Sequence, residues 1–177
     1  MENFDFLFKH WEEMDKSYET FHKLSLLSCP QGCSSCCKDH QVHTTSFEML
    51  PAALRLFRED KTDSILEHIE TYPPGRCALL HDDKCITYDE RPSLCRLFGM
   101  GRIENKNSFS ICKIIKEQNP EQVKNLVTIE ELKHIKSYGQ LYFPLITLIP
   151  RNEAEEVPLN QALKKAIEKV LLYSNYQ

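Results

Sequence analysis

Four of the chain's eight cysteines lie within nine positions, as Cys29, Cys33, Cys36 and Cys37. The chain has 177 residues, enough to build its own hydrophobic core without the disulfides that small secreted domains need. The N-terminus lacks the basic stretch and apolar run of a signal peptide. We therefore expect a cytoplasmic protein with reduced thiols, in which clustered cysteines favour metal binding or redox chemistry over disulfides.

Composition argues against two classes of partner. The formal net charge is -4, so the chain has no excess of basic side chains to neutralise nucleic-acid phosphates. No apolar run approaches the roughly 20 residues that a membrane-spanning helix needs. Only five glycines are present, which leaves little material for flexible linkers. We expect a single domain over residues 1–177 that binds neither nucleic acid nor a membrane.

Amphipathic patterns predict helices on both sides of the cysteine-rich part. In residues 3–27 apolar side chains recur every three or four positions, with Asn3 as a candidate N-cap. A second helical region is predicted over residues 128–173, where Thr128 and Glu131 have the spacing of a capping box. At helical spacing these stripes indicate a core rather than a ligand groove.

The part between them predicts shorter elements. Thr45 and Glu48 form a second candidate capping box, and Pro51 would end or kink the helix that follows. Two short strands, residues 77–80 and 85–88, flank a four-residue turn and predict one small hairpin with a cysteine on each arm. The expected fold is mainly α: a small helical domain around a cysteine-rich core at about residues 29–112, with one short β-hairpin.

The cysteine-rich loop has the composition of a metal-binding segment. Glycine and serine between Cys29, Cys33 and Cys36 let the backbone turn tightly, so that three thiolates can converge. Consecutive side chains such as Cys36 and Cys37 diverge by roughly 100 degrees in a helix. One of them would therefore serve a second centre or pack as a small hydrophobe. The predicted metal ligands are all eight cysteines: Cys29, Cys33, Cys36, Cys37, Cys77, Cys85, Cys95 and Cys112.

Eight thiolates suit two four-cysteine centres, or one centre with spare thiols. Zinc and iron-sulfur clusters both accept four thiolates. Structural zinc usually takes two separated close pairs, whereas here three or four candidates share one loop. This favours an iron-sulfur cluster, with 4Fe-4S as the expected type, over zinc, and copper or another soft metal comes third. The loop spacing also occurs in radical S-adenosylmethionine enzymes, but the chain lacks the alternating strands and helices of their α/β barrel.

Three further residue sets have both a functional and a plain interpretation. His40 and His43 could complete a mixed site, although a solvated loop pair is favoured. Arg91 and Arg96 flank Cys95 and could offset cluster charge or bind an anion, or they could form ordinary surface ion pairs. The pair Asp82–Asp83 lies in a predicted turn, where turn formation explains it better than catalysis does.

Four segments carry a resemblance to a known family: residues 29–37, 77–80, 85–88 and 91–96. Taken together, they resemble the YkgJ-like cysteine-cluster family, which is described as zinc- or iron-chelating. A similar region in flagellin lysine methylases carries an iron-sulfur cluster. The resemblance implies bacterial cytoplasmic metal binding with these cysteines as ligands. The family pattern has two residues between its first two cysteines, where this chain has three. The resemblance spans roughly residues 29–112.

Two functions remain open from the sequence. The first is a binding protein whose metal centre organises a helical domain for redox sensing, metal handling or docking of a protein partner. The second is an enzyme, or an accessory module, whose cluster has an open coordination position or transfers electrons. The chain shows no phosphate-binding loop, dinucleotide-binding turn or nucleophile elbow, which favours the first function.

Overall fold

A computed structural model of the chain is mainly α-helical, which confirms the predicted fold class. It describes residues 4–39, 42–103 and 108–174. Contacts divide the chain into two compact units, each made of two separate stretches. Unit 1 comprises Met1–Gln31 and Cys95–Leu148, and unit 2 comprises Gly32–Leu94 and Ile149–Gln177. The single domain over residues 1–177 stays a prediction.

The described part of the chain contains nine α-helices. Short 3-10 helices at Tyr88–Glu90, Leu126–Thr128 and Glu130–His134 connect several of them. Every helix in these ranges is too short or too polar to span a bilayer. The α-helices are α1 Asp5–Ser25, α2 Ser35–Asp39, α3 Ser46–Arg58, α4 Thr62–Thr71, α5 Ser93–Leu97, α6 Lys113–Gln118, α7 Pro120–Asn125, α8 Tyr138–Ile146 and α9 Leu159–Ser174.

Three two-stranded antiparallel sheets occur among the described residues. The predicted hairpin is present, with strands shorter than expected, and the other two pairs have too few residues to show an alternating pattern in the sequence. The strands are β1 His43–Thr45, β2 Leu80–His81, β3 Lys84–Cys85, β4 Met100–Arg102, β5 Phe109–Ile111 and β6 Glu156–Pro158. They pair as β1 with β6, β2 with β3, and β4 with β5.

In unit 1 the predicted N-terminal helix is present as α1, and Asn3 lies outside the described residues. The helix ends where Leu26 adopts a left-handed conformation and its N–H bonds to the carbonyl of His22, a common way to satisfy the last carbonyls of a helix. Its inward face joins a buried apolar cluster made of Phe21, Leu27, Ile111, Ile115, Leu126 and Leu132.

The capping box predicted at Thr128 and Glu131 is wrong. The Thr128 hydroxyl donates to the carbonyl of Asn125, 2.8 Å away, and so closes the turn before it. Helix α8 begins later, where Ser137 Oγ accepts from the Gln140 N–H at 3.2 Å and Gln140 Oε1 accepts from the Ser137 N–H at 2.9 Å. Because Ser137 is fully buried, its backbone N–H needs a partner within the protein, which the glutamine supplies.

In unit 2, helix α3 packs against α9 and begins at the predicted N-cap. Thr45 Oγ1 accepts from the Glu48 N–H at 3.1 Å, but the Glu48 carboxylate does not return to Thr45 as a capping box requires. Its Oε1 accepts from the Ser93 N–H at 2.9 Å and from the Ser93 hydroxyl, and its Oε2 accepts from the Thr44 hydroxyl at 3.0 Å. Helix α3 continues through Pro51 to Arg58. Glu48 therefore ties the start of α3 to Ser93.

We expect Glu48→Ala to destabilise the protein by about 2 to 3 kcal/mol, because it leaves buried donors on Ser93 and Thr44 without an acceptor. Glu48 is 1% exposed. The matched control is Glu67→Ala, which removes an exposed glutamate from α4 and should change stability by no more than about 0.5 kcal/mol. Urea unfolding followed by circular dichroism measures both, and equal midpoints for the two variants would contradict the buried role of Glu48.

Candidate metal centre

The structure distributes the eight cysteines over the two units. All eight are present as thiols, and only Cys29 among them is exposed, while the other seven are half-buried. Unit 1 contains Cys29, Cys95 and Cys112, and unit 2 contains Cys33, Cys36, Cys37, Cys77 and Cys85. Unit 2 therefore holds more sulfur donors than the four that a tetrahedral metal ion binds.

The adjacent thiols of Cys36 and Cys37 lie close together. Both belong to the short helix α2, and their sulfur atoms are 4.0 Å apart. Two sulfurs bound to one tetrahedral zinc at about 2.3 Å each are separated by about 3.8 Å. The expectation that these side chains diverge is therefore wrong at the level of the sulfur atoms, because rotation about the side-chain bonds offsets the angle between consecutive Cα–Cβ bonds.

Cys77 and Cys85 lie at the base of the hairpin formed by β2 and β3. Its turn has two residues rather than the predicted four, and both Asp82 and Asp83 have positive φ, 47° and 59°. Two such residues give the tight turn that matches the twist of paired strands. Cys85 is in β3, opposite Leu80. Cys77 precedes β2 instead of lying on it, so the prediction of one cysteine on each strand is correct only for Cys85.

Backbone donors point at both hairpin sulfurs. The Cys77 sulfur accepts hydrogen bonds from the backbone of Leu79 and Leu80. The Cys85 sulfur accepts from the backbone of Thr87, whose hydroxyl oxygen is 3.9 Å away. Each sulfur has a donor two residues after the cysteine, and Cys77 has a second donor three residues after it. Such N–H groups stabilise a thiolate, because hydrogen bonding to the charged form favours that form.

The electrostatics of these thiols show which of them are neighbours. The pKa of Cys77 is raised to about 12, chiefly by burial and to a smaller extent by the nearby Cys85 and Cys36 sulfurs, against the opposing effect of the backbone N–H groups. Burial also raises the pKa of Cys85, which the Arg91 guanidinium opposes. Cys77 N–H donates to the carbonyl of Cys37 at 2.7 Å. Unit 2 therefore gathers four sulfurs, from Cys36, Cys37, Cys77 and Cys85, in one region.

These four sulfurs fit the chemistry of a soft metal ion. Thiolates select zinc, iron-sulfur clusters and copper(I) over hard cations. Among the described residues, however, no group of three or more histidine, cysteine, aspartate or glutamate side chains already surrounds one point as a bound ion requires. The backbone therefore places the four donors in one region without enclosing an ion.

In unit 1 the surroundings of Cys112 are set by a close backbone approach. The Cys112 N–H donates to the Gly99 carbonyl at 2.8 Å. Gly99 has a φ of 85°, and a Cβ at this position would lie 2.8 Å from Cys112 Cβ. Only glycine fits both the conformation and the space. Cys112 itself is the N-cap residue of α6, and Cys95 lies within α5.

The structure tests one of the two histidines for which a solvated loop pair is favoured over a mixed metal site. His40 lies outside the described residues, so its role stays a prediction. His43 is exposed in β1, where its backbone is opposite Pro158.

The two arginines have different surroundings. Arg96 in unit 1 is buried, pairs with Asp15 and stacks over the Trp11 ring, with its guanidinium carbon 4.4 Å from the ring centroid. This is a structural contact. Arg91 in unit 2 stacks over the Tyr88 ring at 3.7 Å and lies close enough to Cys85 to lower the pKa of that thiol. Of the two, Arg91 is therefore the one that can offset negative charge at the hairpin sulfurs.

Sequence reasoning missed Thr87 and the contacts of Asp83. Thr87 could have been found, because a cysteine followed two positions later by a hydroxyl residue in a turn is a local pattern. Asp83 is in the predicted turn, but its contacts with α2 could not have been found, because Ser34 and Lys38 are remote from it in sequence.

Comparison with known families supports a metal site. The profile of the CxxCxxCC family, described as a "Putative zinc- or iron-chelating domain", matches residues 28–125, a segment that contains all eight cysteines and more than half of the chain. The chain belongs to this family. No curated protein and no solved structure matched the chain. Membership supports metal binding in general and does not distinguish zinc from iron.

We expect Gly99→Ala to destabilise the protein by about 1 to 3 kcal/mol, because alanine at positive φ is strained and its Cβ meets Cys112. Gly101→Ala is the matched control, since a Cβ at Gly101 would have no neighbour within 4 Å. Thermal unfolding of the two variants tests this. A smaller loss for Gly99→Ala than for Gly101→Ala would contradict the proposed packing against Cys112.

Proposed function

We propose that this protein binds a single metal ion in unit 2 through the thiolates of Cys36, Cys37, Cys77 and Cys85. The observation that carries the proposal is the convergence of two separate segments. Helix α2 supplies a pair of sulfurs 4.0 Å apart, and the hairpin supplies two sulfurs with backbone donors already directed at them. The family match to zinc- or iron-chelating proteins supports the same chemistry.

Zinc is the ion that this arrangement fits best. Four thiolates and no open position are typical of structural zinc sites, and the distance between Cys36 and Cys37 suits two ligands of one ion. Cys33 would be a fifth thiol of unit 2, close in sequence to the pair and able to replace one of its members. A single iron ion would accept the same four ligands.

An iron-sulfur cluster is the second candidate. The spacing of Cys29, Cys33 and Cys36 in one turn-rich loop supports it, as does the description of the family as zinc- or iron-chelating. In a cubane each cysteine binds a different iron, so the ligand sulfurs lie farther apart than around a single ion. The 4.0 Å between Cys36 and Cys37 is therefore the observation that favours a single ion.

A metal site whose four coordination positions are all filled by thiolates has a structural role, because no position is left for a substrate. We therefore propose a binding protein rather than an enzyme. The ion would hold α2 and the hairpin in one arrangement, and the surface of unit 2 would then serve a protein partner or metal handling. Because the ligands must stay reduced, a cytoplasmic location suits the proposed site.

The deciding experiment is anaerobic purification followed by analysis of zinc, iron and acid-labile sulfide, with a visible spectrum of the same sample. About one zinc per chain without visible absorption would support the proposal. Iron together with sulfide, and broad absorption in the visible range, would establish the cluster instead. A protein free of both metals after reconstitution with each would refute metal binding in unit 2.

We expect Cys77→Ser and Cys85→Ser each to abolish stoichiometric metal binding and to lower the melting temperature of the purified protein. A ligand that binds only the folded state contributes its binding free energy to stability. Stripping the metal with a chelator should lower the melting temperature of the unaltered protein as well. Elemental analysis and thermal unfolding measure these effects.

The matched control is Cys29→Ser, which removes an exposed thiol of unit 1 and should leave both metal content and melting temperature unchanged. Loss of the metal in this variant would extend the ligand set beyond unit 2. Full metal content in both hairpin variants would rule out Cys77 and Cys85 as ligands.

A further inference from the structure

The proposed ligands come from two segments that are far apart in the chain. Cys36 and Cys37 lie in α2, whereas Cys77 and Cys85 belong to the hairpin segment. An ion that binds side chains on two separate segments must order both segments, and this ordering costs conformational entropy. Any contact that holds the segments together before binding lowers that cost and strengthens binding.

One such contact lies next to the ligands themselves. The Cys77 N–H donates to the Cys37 carbonyl at 2.7 Å. This hydrogen bond joins the two segments at a single point, and a single point still lets α2 rotate. A second point of attachment is needed to fix the direction in which the two α2 sulfurs face.

The tip of the hairpin supplies that second attachment. Asp83 Oδ1 accepts a hydrogen bond from the Ser34 hydroxyl at 2.9 Å and pairs with Lys38 Nζ at 2.6 Å. Ser34 immediately precedes α2, and Lys38 follows one turn later, so both lie on the same side of the helix. The two proposed ligands of α2 lie between them in sequence.

The conformation of the turn is what makes Asp83 available. Asp82 and Asp83 both adopt the left-handed conformation, which aspartate and asparagine tolerate better than most residues. Their side chains nevertheless have different surroundings. Asp82 is 89% exposed and lies 3.4 Å from the His81 ring, whereas Asp83 reaches α2. The same turn thus offers a test residue and a control residue of identical chemistry.

We propose that Asp83 is a positioning residue of the metal centre, which holds α2 against the hairpin through Ser34 and Lys38 and so presets the four sulfurs for one ion. This inference rests on the proposed function. Asp83 touches no proposed ligand, so it acts on the metal only through the placement of α2. The ion pair is 51% exposed at Lys38 and 60% at Asp83, so its effect should be moderate and sensitive to salt.

The test compares Asp83→Asn with Asp82→Asn in the zinc-loaded protein. Asparagine keeps the size and the turn conformation but removes the charge that pairs with Lys38. We expect zinc to dissociate about 3 to 10 times faster from Asp83→Asn, which corresponds to about 0.7 to 1.4 kcal/mol. Asp82→Asn should dissociate at the rate of the unaltered protein. A chromogenic chelator in excess measures the rates.

Two further measurements separate positioning from general stability. Raising the ionic strength should speed zinc dissociation from the unaltered protein and from Asp82→Asn, but much less from Asp83→Asn, which has already lost the ion pair. A double-mutant cycle with Lys38→Met should show that the two substitutions together cost less than the sum of their separate effects. If Asp83→Asn fails to fold, Lys38→Met removes the same ion pair from its other side.

The outcomes distinguish the two proposals. Equal dissociation rates for Asp83→Asn and Asp82→Asn, both zinc-loaded, would overturn the positioning role and leave the metal centre intact. Additive effects in the double-mutant cycle would likewise overturn it. If the unaltered protein binds neither zinc nor a single iron ion, the proposed function is refuted, and the positioning role falls with it.

Discussion

The proposed metal centre of unit 2 depends on one electrostatic constraint. Placing several cysteine sulfurs together in a poorly hydrated region costs free energy when the thiols ionise. Burial disfavours the thiolate of Cys77, and the neighbouring sulfurs of Cys36 and Cys85 add repulsion. Backbone N–H groups offset part of that cost, as does the Arg91 guanidinium near Cys85. A bound cation would offset the rest of this cost, because its positive charge favours the thiolates that the protein alone disfavours.

Elements that are specified by nearby residues could be predicted from the sequence. Periodic apolar residues predicted the helices α1 and α9, and the two short apolar runs that include Cys77 and Cys85 predicted a hairpin. The cap of α8 was misassigned because Thr128 and Ser137 carry similar local patterns. What separates them is burial: the Ser137 N–H is enclosed and must find a partner. Burial of a single backbone group follows from packing across the unit, which a local pattern does not contain.

The site was predictable in its chemistry and less so in its geometry. Cysteine spacing predicts the candidate donor atoms, and the family match supports metal binding in general. The division of the cysteines between two units follows from long-range packing, which spacing does not encode. The 4.0 Å between the Cys36 and Cys37 sulfurs depends on side-chain rotation, which an argument from backbone directions alone leaves out. The role of Asp83 likewise needs the fold, because Ser34 and Lys38 are distant in sequence.

Charge balance links the proposed metal centre to the hairpin tip. A divalent ion with four thiolates would carry two net negative charges. The base whose charge acts on a proposed ligand is Arg91, which lowers the pKa of Cys85 against the larger effect of burial. Lys38 follows Cys37 in sequence, but its ammonium pairs with Asp83. The charge of Lys38 therefore fixes α2 instead of neutralising thiolates, as expected where an ion with no open coordination position stabilises structure.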